Sequence, residues 1–329
     1  LKTQGHDVEI LNFVPEKVKK EYSMNPFMVT KSLRGLVSLT IRNVKRIKQF
    51  QLIRQFQSEK LCCGKVFYTS KALQNKISQL DCVVVGSDQV WNTALTGEIS
   101  DYYLDVVAPE LRKVSYAASF GTDTIQPFQQ RLLRKHLQHY HSISVREDKA
   151  KEIIRQYTDL DATVVADPVF LISKEQWKEF ALKPVGIKDN ELFVVYYSLK
   201  DNPSLARMAE KQAKEKNAKL FLIHPTAANQ KARGKQLYNV GPREFVWLIA
   251  HAECVVSNSF HATAFSTIFN KTLYYQEVEG LGSRVKSLFN QLDVDTTLQN
   301  HCIDLSEVAS TKVEALQIRG ASFLEEALK

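Results

Sequence analysis

The sequence predicts an α/β protein of two domains, each a parallel sheet flanked by helices, with a ligand cleft between them. Short β-branched runs alternate with helical stretches along most of the chain, which is the pattern of βαβ units. Several of these runs stop on polar clusters, as in DCVVVGSDQVWN over 81–92 and VVSNSFHATAF over 255–265. The length of 329 residues also exceeds the roughly 250 at which a single core usually stops growing.

The chain opens on LKTQGHDVEILNF, which reads as a helix end, a glycine turn and a strand over HDVEILNF, so a further strand and most of a helix are expected upstream. Residues 31–59 read as largely helical, and KALQNKISQL is a helix leading into the strand DCVVVGS. KVSYAASFG is the next strand, followed by a helix from near Ile125 or Pro127. HSISVRED, the helix KAKEIIRQY and the strand ATVVADPVF complete a first series. KPVGIKDN reads as a linker, which divides the chain into domains over 1–184 and 185–329.

The second series is ELFVVYYSL, a charged helix over 203–217, the strand AKLFLIHP, the helix GPREFVWLIAHA, the strand AECVVSNS, the helix HATAFSTIF and the strand KTLYYQ. Pro242 suits a first helical turn, where its missing N–H would have had no partner. The final TKVEALQIRGASFLEEALK reads as a helix that packs back on the first domain.

Composition narrows the function. Hydrophobic residues at 44% can fill two cores. The five cysteines, Cys62, Cys63, Cys82, Cys254 and Cys302, lack the spacing of a zinc site or redox pair and suggest a reducing, cytoplasmic compartment. No apolar run reaches the roughly 20 residues of a membrane span. Residues 17–60 hold 11 Lys or Arg against Glu21 and Glu59, while the whole chain carries +8. Such a stretch is either a solvated helix face or an attractor for anions, including peripheral contact with a membrane surface. It is joined to no nucleic-acid-binding signature, so no nucleic-acid partner is expected. There is no GxxxxGK[ST], HExxH or GxGxxG, and the eight histidines form no compact ligand spacing, so neither cofactor nor metal is expected.

Open parallel sheets bind ligands beyond the carboxyl ends of their strands. Gly86, Ser87, Asp88 and Gln89 occupy one such place, with Trp91 either bounding a pocket or filling the core. Ser119, ending another strand, is assigned to the pocket lining, and His224 at the end of FLIHP stands in the same position in the second series. Ser257, Asn258, Ser259 and His261 join a strand to a helix N-terminus, where backbone amides stabilise anions. The alternative makes Ser259 an N-cap and His261 a hydrogen-bonded first-turn residue. Arg146 and Arg284 suit an anion clamp, Arg146 equally a structural salt bridge, and Asp167 with Pro168 shapes a loop.

VVVGSDQVWN, SYAASFG, ISVRED, ADPVFL and SNSFHATAFSTIFNK occur in the order seen in the polysaccharide pyruvyl transferase family, which the chain resembles from about residue 1 to 290. The resemblance implies a GT-B-like pair of Rossmann-like domains, with the acceptor on the N-terminal side and the donor on the other. It implies transfer from phosphoenolpyruvate to a sugar of a surface polysaccharide or polyprenyl-linked precursor, giving a pyruvate ketal, at the inner face of the membrane. Asp88, Arg146, His261 and Arg284 fall in the matching segments. Against the family's pattern the given residues begin past the place expected for its first strand and an Asn/Gly loop, and Ala262 stands where glycine is common.

On that reading His261 is the acid, because imidazole chemistry suits neutral pH, and Asp88 orients or deprotonates the acceptor. Arg146, Arg284, Ser259 and Asn258 hold the donor's anionic groups. Two rivals remain at this stage: a GT-B glycosyltransferase using a nucleotide sugar, and a noncatalytic glycan-binding protein.

Overall fold

The structure is a computed structural model that describes residues 1–15, 18–19, 32–61, 63–97, 100–200, 202–225, 229–277, 282–294, 302–305, 308 and 310–329. Lys17, Lys20 and Lys31 of the basic stretch, and Cys62, lie outside the described residues. Two sheets organise the fold, a four-stranded sheet made within residues 82–164 and a six-stranded sheet made within residues 193–304.

The first lobe begins with the long helix α1 (Leu33–Phe56), whose Ser32 hydroxyl caps the Gly35 N–H, and α2 (Ser70–Ile77), capped by Thr69. Then come β1 (Cys82–Val85), the single turn α3 (Thr93–Thr96), β2 (Arg112–Ala118), α4 (Pro127–His136), β3 (Ser142–Val145), α5 (Asp148–Tyr157) and β4 (Thr163–Val164). The strands pair in that order and all parallel. After a turn over Pro168–Leu171 and α6 (Lys174–Phe180), the second lobe runs through β5 (Phe193–Tyr197), α7 (Pro203–Glu215), β6 (Lys219–Ile223), β7 (Lys235–Gln236), α8 (Pro242–His251), β8 (Cys254–Ser257), α9 (Phe260–Ile268), β9 (Thr272–Tyr275), α10 (Ser283–Gln291), β10 (Cys302–Asp304) and α11 (Ser310–Leu328). Its order is β10-β9-β8-β5-β6-β7, with β10 antiparallel. These are the two Rossmann-like lobes expected, consistent with a GT-B-like pair.

Burial follows from parallel pairing. Phe193 and Val195 of β5 enter one core cluster, while Val194 and Tyr196 enter another on the opposite face. A strand covered on both sides must be apolar throughout, as FVVYY nearly is. In the first sheet, Trp91, Tyr103 and Phe120 pack below, whereas Tyr116, Ala117 and Val165 face Leu324 of α11. The last helix therefore supplies a layer to the first sheet, and Arg112 Nη1 donates to Ala327 O at 3.1 Å along it.

Two features depart from the expected elements. HDVEILNF forms no regular strand: Phe13 makes an isolated bridge to Phe67, because that neighbouring segment offers one residue of ladder before Thr69 caps α2. β7 and β10, too short to leave a periodic signal, complete the second sheet. β2 also carries a register shift between Ser115 and Ala118, with Ala117 at φ 50°. Ser144 repairs the interrupted ladder, its Oγ donating to Ser115 O at 2.8 Å and accepting from the Ala117 N–H at 3.1 Å. Such a bulge re-aims a strand end.

At Gly320, α11 packs directly against the first sheet. A Cβ there would lie 2.4 Å from Tyr116 Oη and 2.9 Å from Leu171 Cδ2. Gly320→Ala is expected to lower unfolding stability by about 1–3 kcal/mol in urea titration, the overpacking outweighing the gain in helix propensity. Gly64→Ala, whose Cβ meets only Glu9 at 3.8 Å, is the control and stays within about 0.5 kcal/mol. Equal stability of the two variants would refute this docking.

Candidate active site between the sheets

The first lobe delivers polar groups from the ends of its strands. Asp88 follows β1 with φ 74°, held there by its bridge to Ala118 and by the Ser119 N–H, which donates to Asp88 O at 3.0 Å. Arg146 follows β3, and its N–H donates to Ala118 O at 3.1 Å. The bulged end of β2 is thus the backbone bracket that sets Asp88 beside Arg146.

The Arg146 side chain is only 1% exposed. Its Nη1 donates to Asp167 Oδ2 at 2.7 Å and its Nη2 to Asp88 Oδ1 at 3.0 Å. Phe260, opening α9 of the other lobe, lies under its Cζ at 4.5 Å from the ring centroid, a cation–π contact in a desolvated place. Burial alone would depress the Arg146 pKa, but Asp167, Asp88 and Glu147 outweigh it and raise it, so the charge is permanent.

Asp167 is the hub of the constellation. Its Oδ2 also accepts from Ser87 Oγ at 2.7 Å and stands 3.9 Å from His261 Nε2, while Oδ1 caps the Val169 N–H at 3.1 Å. Burial pushes its pKa up, but Arg146, then His261, Ser87 and the Val169 N–H hold it below the ordinary carboxylate value. Asp88 behaves likewise, with Arg146, His261 and Arg284 prevailing over burial. Its side chain nevertheless remains 58% exposed toward the cleft. Glu147, buried beneath Arg146, has its pKa raised by burial despite accepting from Ser119 Oγ at 2.7 Å.

The second lobe contributes His261 and Arg284. His261 sits in the first turn of α9 with 40% of its side chain exposed. Arg284 lies near the start of α10, its Nη1 at 3.8 Å from Asp88 Oδ1, and its buried Nε has no hydrogen-bond partner among the described residues. Burial first, then the like charge of Arg146, lowers its pKa. Across the lobes, Ser287 Oγ donates to Asp148 Oδ2 at 2.8 Å and accepts from the Asp148 N–H at 3.2 Å, which fastens α10 to α5 beside the site.

The remaining sequence candidates sort themselves by contact. Ser259 caps α9, its Oγ accepting from the Ala262 N–H at 3.5 Å. Asn258 is spent on the loop after β5, accepting from the Leu199 N–H at 2.9 Å and donating to Ser198 Oγ at 3.0 Å. Neither side chain is therefore turned toward an anion as expected. Trp91 does not line a pocket: it is fully buried, stacked on Tyr103 at 5.7 Å, and its Nε1 donates to Tyr102 O. Gln89 accepts from Asn92 and packs so closely on Gly121 that a Cβ there would lie 1.9 Å from its Oε1. Gly86 has open space where a Cβ would stand. Ser119 is wholly buried behind Glu147. His224 borders a cavity of about 320 Å³ that also reaches His261.

Among the described residues, no three His, Cys, Asp or Glu stand close enough to hold a metal ion. The arrangement instead offers the Arg284 guanidinium, an imidazole and a half-exposed carboxylate around one gap, suited to a small anionic substrate and to proton transfer; Arg146, expected as a second clamp, is buried as a structural ion pair that lends the gap its charge.

Over residues 1–273 the chain matches the family described as Polysaccharide pyruvyl transferase. The chain belongs to the polysaccharide pyruvyl transferase family. Its membership supports an enzyme that moves a pyruvyl group from phosphoenolpyruvate to a sugar of a polysaccharide or lipid-linked precursor. A search of curated proteins gave no match. Similar solved structures include a UDP-GlcNAc 2-epimerase from Neisseria meningitidis bound to UDP-GlcNAc, at 14% identity over 75% of this chain and 79% of that one, with a TM-score of 0.40. Another is the Methanocaldococcus jannaschii UDP-GlcNAc 2-epimerase in complex with UDP-GlcNAc and UDP, at 13% identity over 84% and 90%, with a TM-score of 0.41.

Two members of this cluster escaped sequence reasoning. Asp167 looked like a loop former because Asp-Pro opens a turn, and it does cap that turn, but its second oxygen serves Arg146. Glu147 carried no signal beyond standing next to Arg146. Asp167→Asn is expected to destabilise the fold by about 3 kcal/mol at pH 7, because it leaves a buried guanidinium short of charge. A carboxyl with a depressed folded pKa contributes stability above the unfolded value of about 3.9 and loses it as pH falls through the folded one. The gap between wild type and Asp167→Asn therefore closes below about pH 4, and a gap independent of pH in urea titrations would contradict the pairing.

Proposed function

We propose that this cleft forms a pyruvate ketal on a diol of the acceptor sugar, with His261 as proton donor, Arg284 as anion clamp, the buried charge of Arg146 behind it and Asp88 as acceptor base. The methylene carbon of phosphoenolpyruvate takes a proton from His261, which leaves the central carbon electron-poor. One acceptor hydroxyl bonds to that carbon and gives its proton to Asp88. A second hydroxyl then displaces phosphate: the bond from carbon to phosphate oxygen breaks, the second C–O bond closes the ring, and phosphate departs with a proton. Guanidiniums and the α9 amides stabilise the charge on carboxylate and phosphate throughout.

One observation supports this reading above the others. Around buried Arg146, the first lobe's Asp88 and Asp167 stand 3.8 Å from Arg284 and 3.9 Å from His261 of the second lobe. The test is incubation with phosphoenolpyruvate and a panel of sugar acceptors, following phosphate release and product mass. A pyruvate-sized addition is expected, and His261→Ala should lower its rate by about 10²–10⁴-fold without changing the melting temperature. A hexose-sized addition from a nucleotide sugar, or full activity of the variant, would reject the assignment.

The acceptor is proposed to meet the enzyme at the inner, cytoplasmic face of a membrane. None of the described helices is long and apolar enough to cross a bilayer. On α1, however, Val37, Ile41, Val44 and Ile47 are exposed, and Arg34, Lys45 and Lys48 are exposed on the same helix. A surface that mixes exposed apolar and basic side chains in this way favours anionic lipid. Co-sedimentation with anionic vesicles, absent with neutral ones and weakened by salt, is expected for the wild type and not for Ile41→Asp/Val44→Asp. Equal binding to neutral vesicles would rule out this role.

A further inference from the structure

We infer that the cavity beside His261 is a subsite for an apolar group carried on the acceptor as its aglycone, an inference that rests on the pyruvyl transfer proposed above. The cavity, about 320 Å³, lies at the carboxyl ends of β5 and β6 under α1. Aromatic rings meet edge to face along its wall: Phe56 on Phe180 at 5.8 Å, Phe180 on Trp177 at 5.3 Å, Trp177 on Phe265 at 4.9 Å, Phe265 on Phe245 at 6.0 Å and Phe245 on Tyr197 at 5.0 Å. Trp177 turns its one polar atom away, donating Nε1 to Val169 O at 2.8 Å, so its ring presents hydrocarbon to the space.

The donor does not explain such a chamber. Phosphoenolpyruvate is anionic at both ends, and moving those charges among aromatic rings would cost far more than contact could return. A free sugar would leave most of its hydroxyls facing apolar walls. An alkyl or prenyl chain attached to the acceptor matches the lining, and His261 at the chamber's border places that acceptor at the reacting centre. α1 favours this occupant over an acyl group on the sugar itself. Its inner side supplies Ile53 and Phe56 to the cavity, while its outer side exposes the apolar and basic residues suited to the surface where lipid-linked sugars reside. The roof is also fixed in place. Gln49 Nε2 donates to His224 O and Val240 O at 3.2 and 3.3 Å, and Gly241 lies so near that a Cβ would come within 2.7 Å of Leu52 Cβ.

The experiment compares octyl and methyl glycosides of several hexoses and their 2-acetamido forms, below micelle-forming concentration, by calorimetry and by KM. The octyl forms are expected to bind wild type about tenfold or more tighter, with a negative heat-capacity change that marks apolar burial. Ile53→Trp, which fills the chamber while keeping an apolar side chain on α1, should abolish that advantage, leaving methyl glycoside binding, the KM for phosphoenolpyruvate and the melting temperature unchanged. Equal affinity for octyl and methyl forms, an octyl preference that survives Ile53→Trp, or a preference that follows an N-octanoyl group on the sugar would each overturn the proposal. If octyl binding is present but no pyruvylated product forms with any acceptor, the transferase reading fails and the subsite stands.

Discussion

A single guanidinium organises this protein. Arg146 is buried between the lobes, and a charge in that position survives only with counter-charges close by. Two carboxylates of the first lobe supply its hydrogen bonds and an aromatic ring of the second covers its face. The loops after β1, β3 and β4 therefore cannot move independently, since each contributes one member of the same charge cluster. The helix start that presents His261 is drawn into contact with them through Phe260. Two sheets with separate cores are thereby registered against each other at the place where chemistry would occur.

The chain does not respect its own sequence order in building that place. α1 precedes the first sheet, yet Gln49 ties it to strand ends of the second. α11 follows the second sheet, yet Leu324 and Phe323 pack on the first. Trp177 and Phe180 of α6, which precedes the second sheet, join its core. Helices thus cross the cleft in both directions, and the aromatic chamber exists because one of them lies over it.

Much of the fold was legible because parallel strands buried on both faces leave unmistakable runs, such as CVVV and FVVYY, and because caps mark the helices that follow. Pro127 and Pro242 stand at the helix starts that their missing N–H groups favour. Legibility failed where pairing is too short to imprint a period, as at β7 and β10, and where extended backbone lacks a partner, as at HDVEILNF. In the site, strand-end logic found Asp88, Arg146 and His261, and the family resemblance supported Arg284; the structure gathers all four. It overreached at Trp91, Asn258 and Ser259, since a residue at a strand end can equally turn inward or cap, and no linear pattern tells which way it points. It undervalued Asp167, one of whose oxygens performs the capping that its sequence context advertises while the other binds the guanidinium.

Asp88 gives the cleft a selectivity threshold. Its carboxylate already sits against Arg146 and within 3.8 Å of Arg284, occupying the position a visiting anion would want. Chloride or another lone monoanion meets a resident competitor that is covalently tethered and therefore present at high effective concentration. A ligand with two anionic groups a few ångströms apart can engage the free edge of Arg284 and the α9 amides together, and so displace that tethered rival.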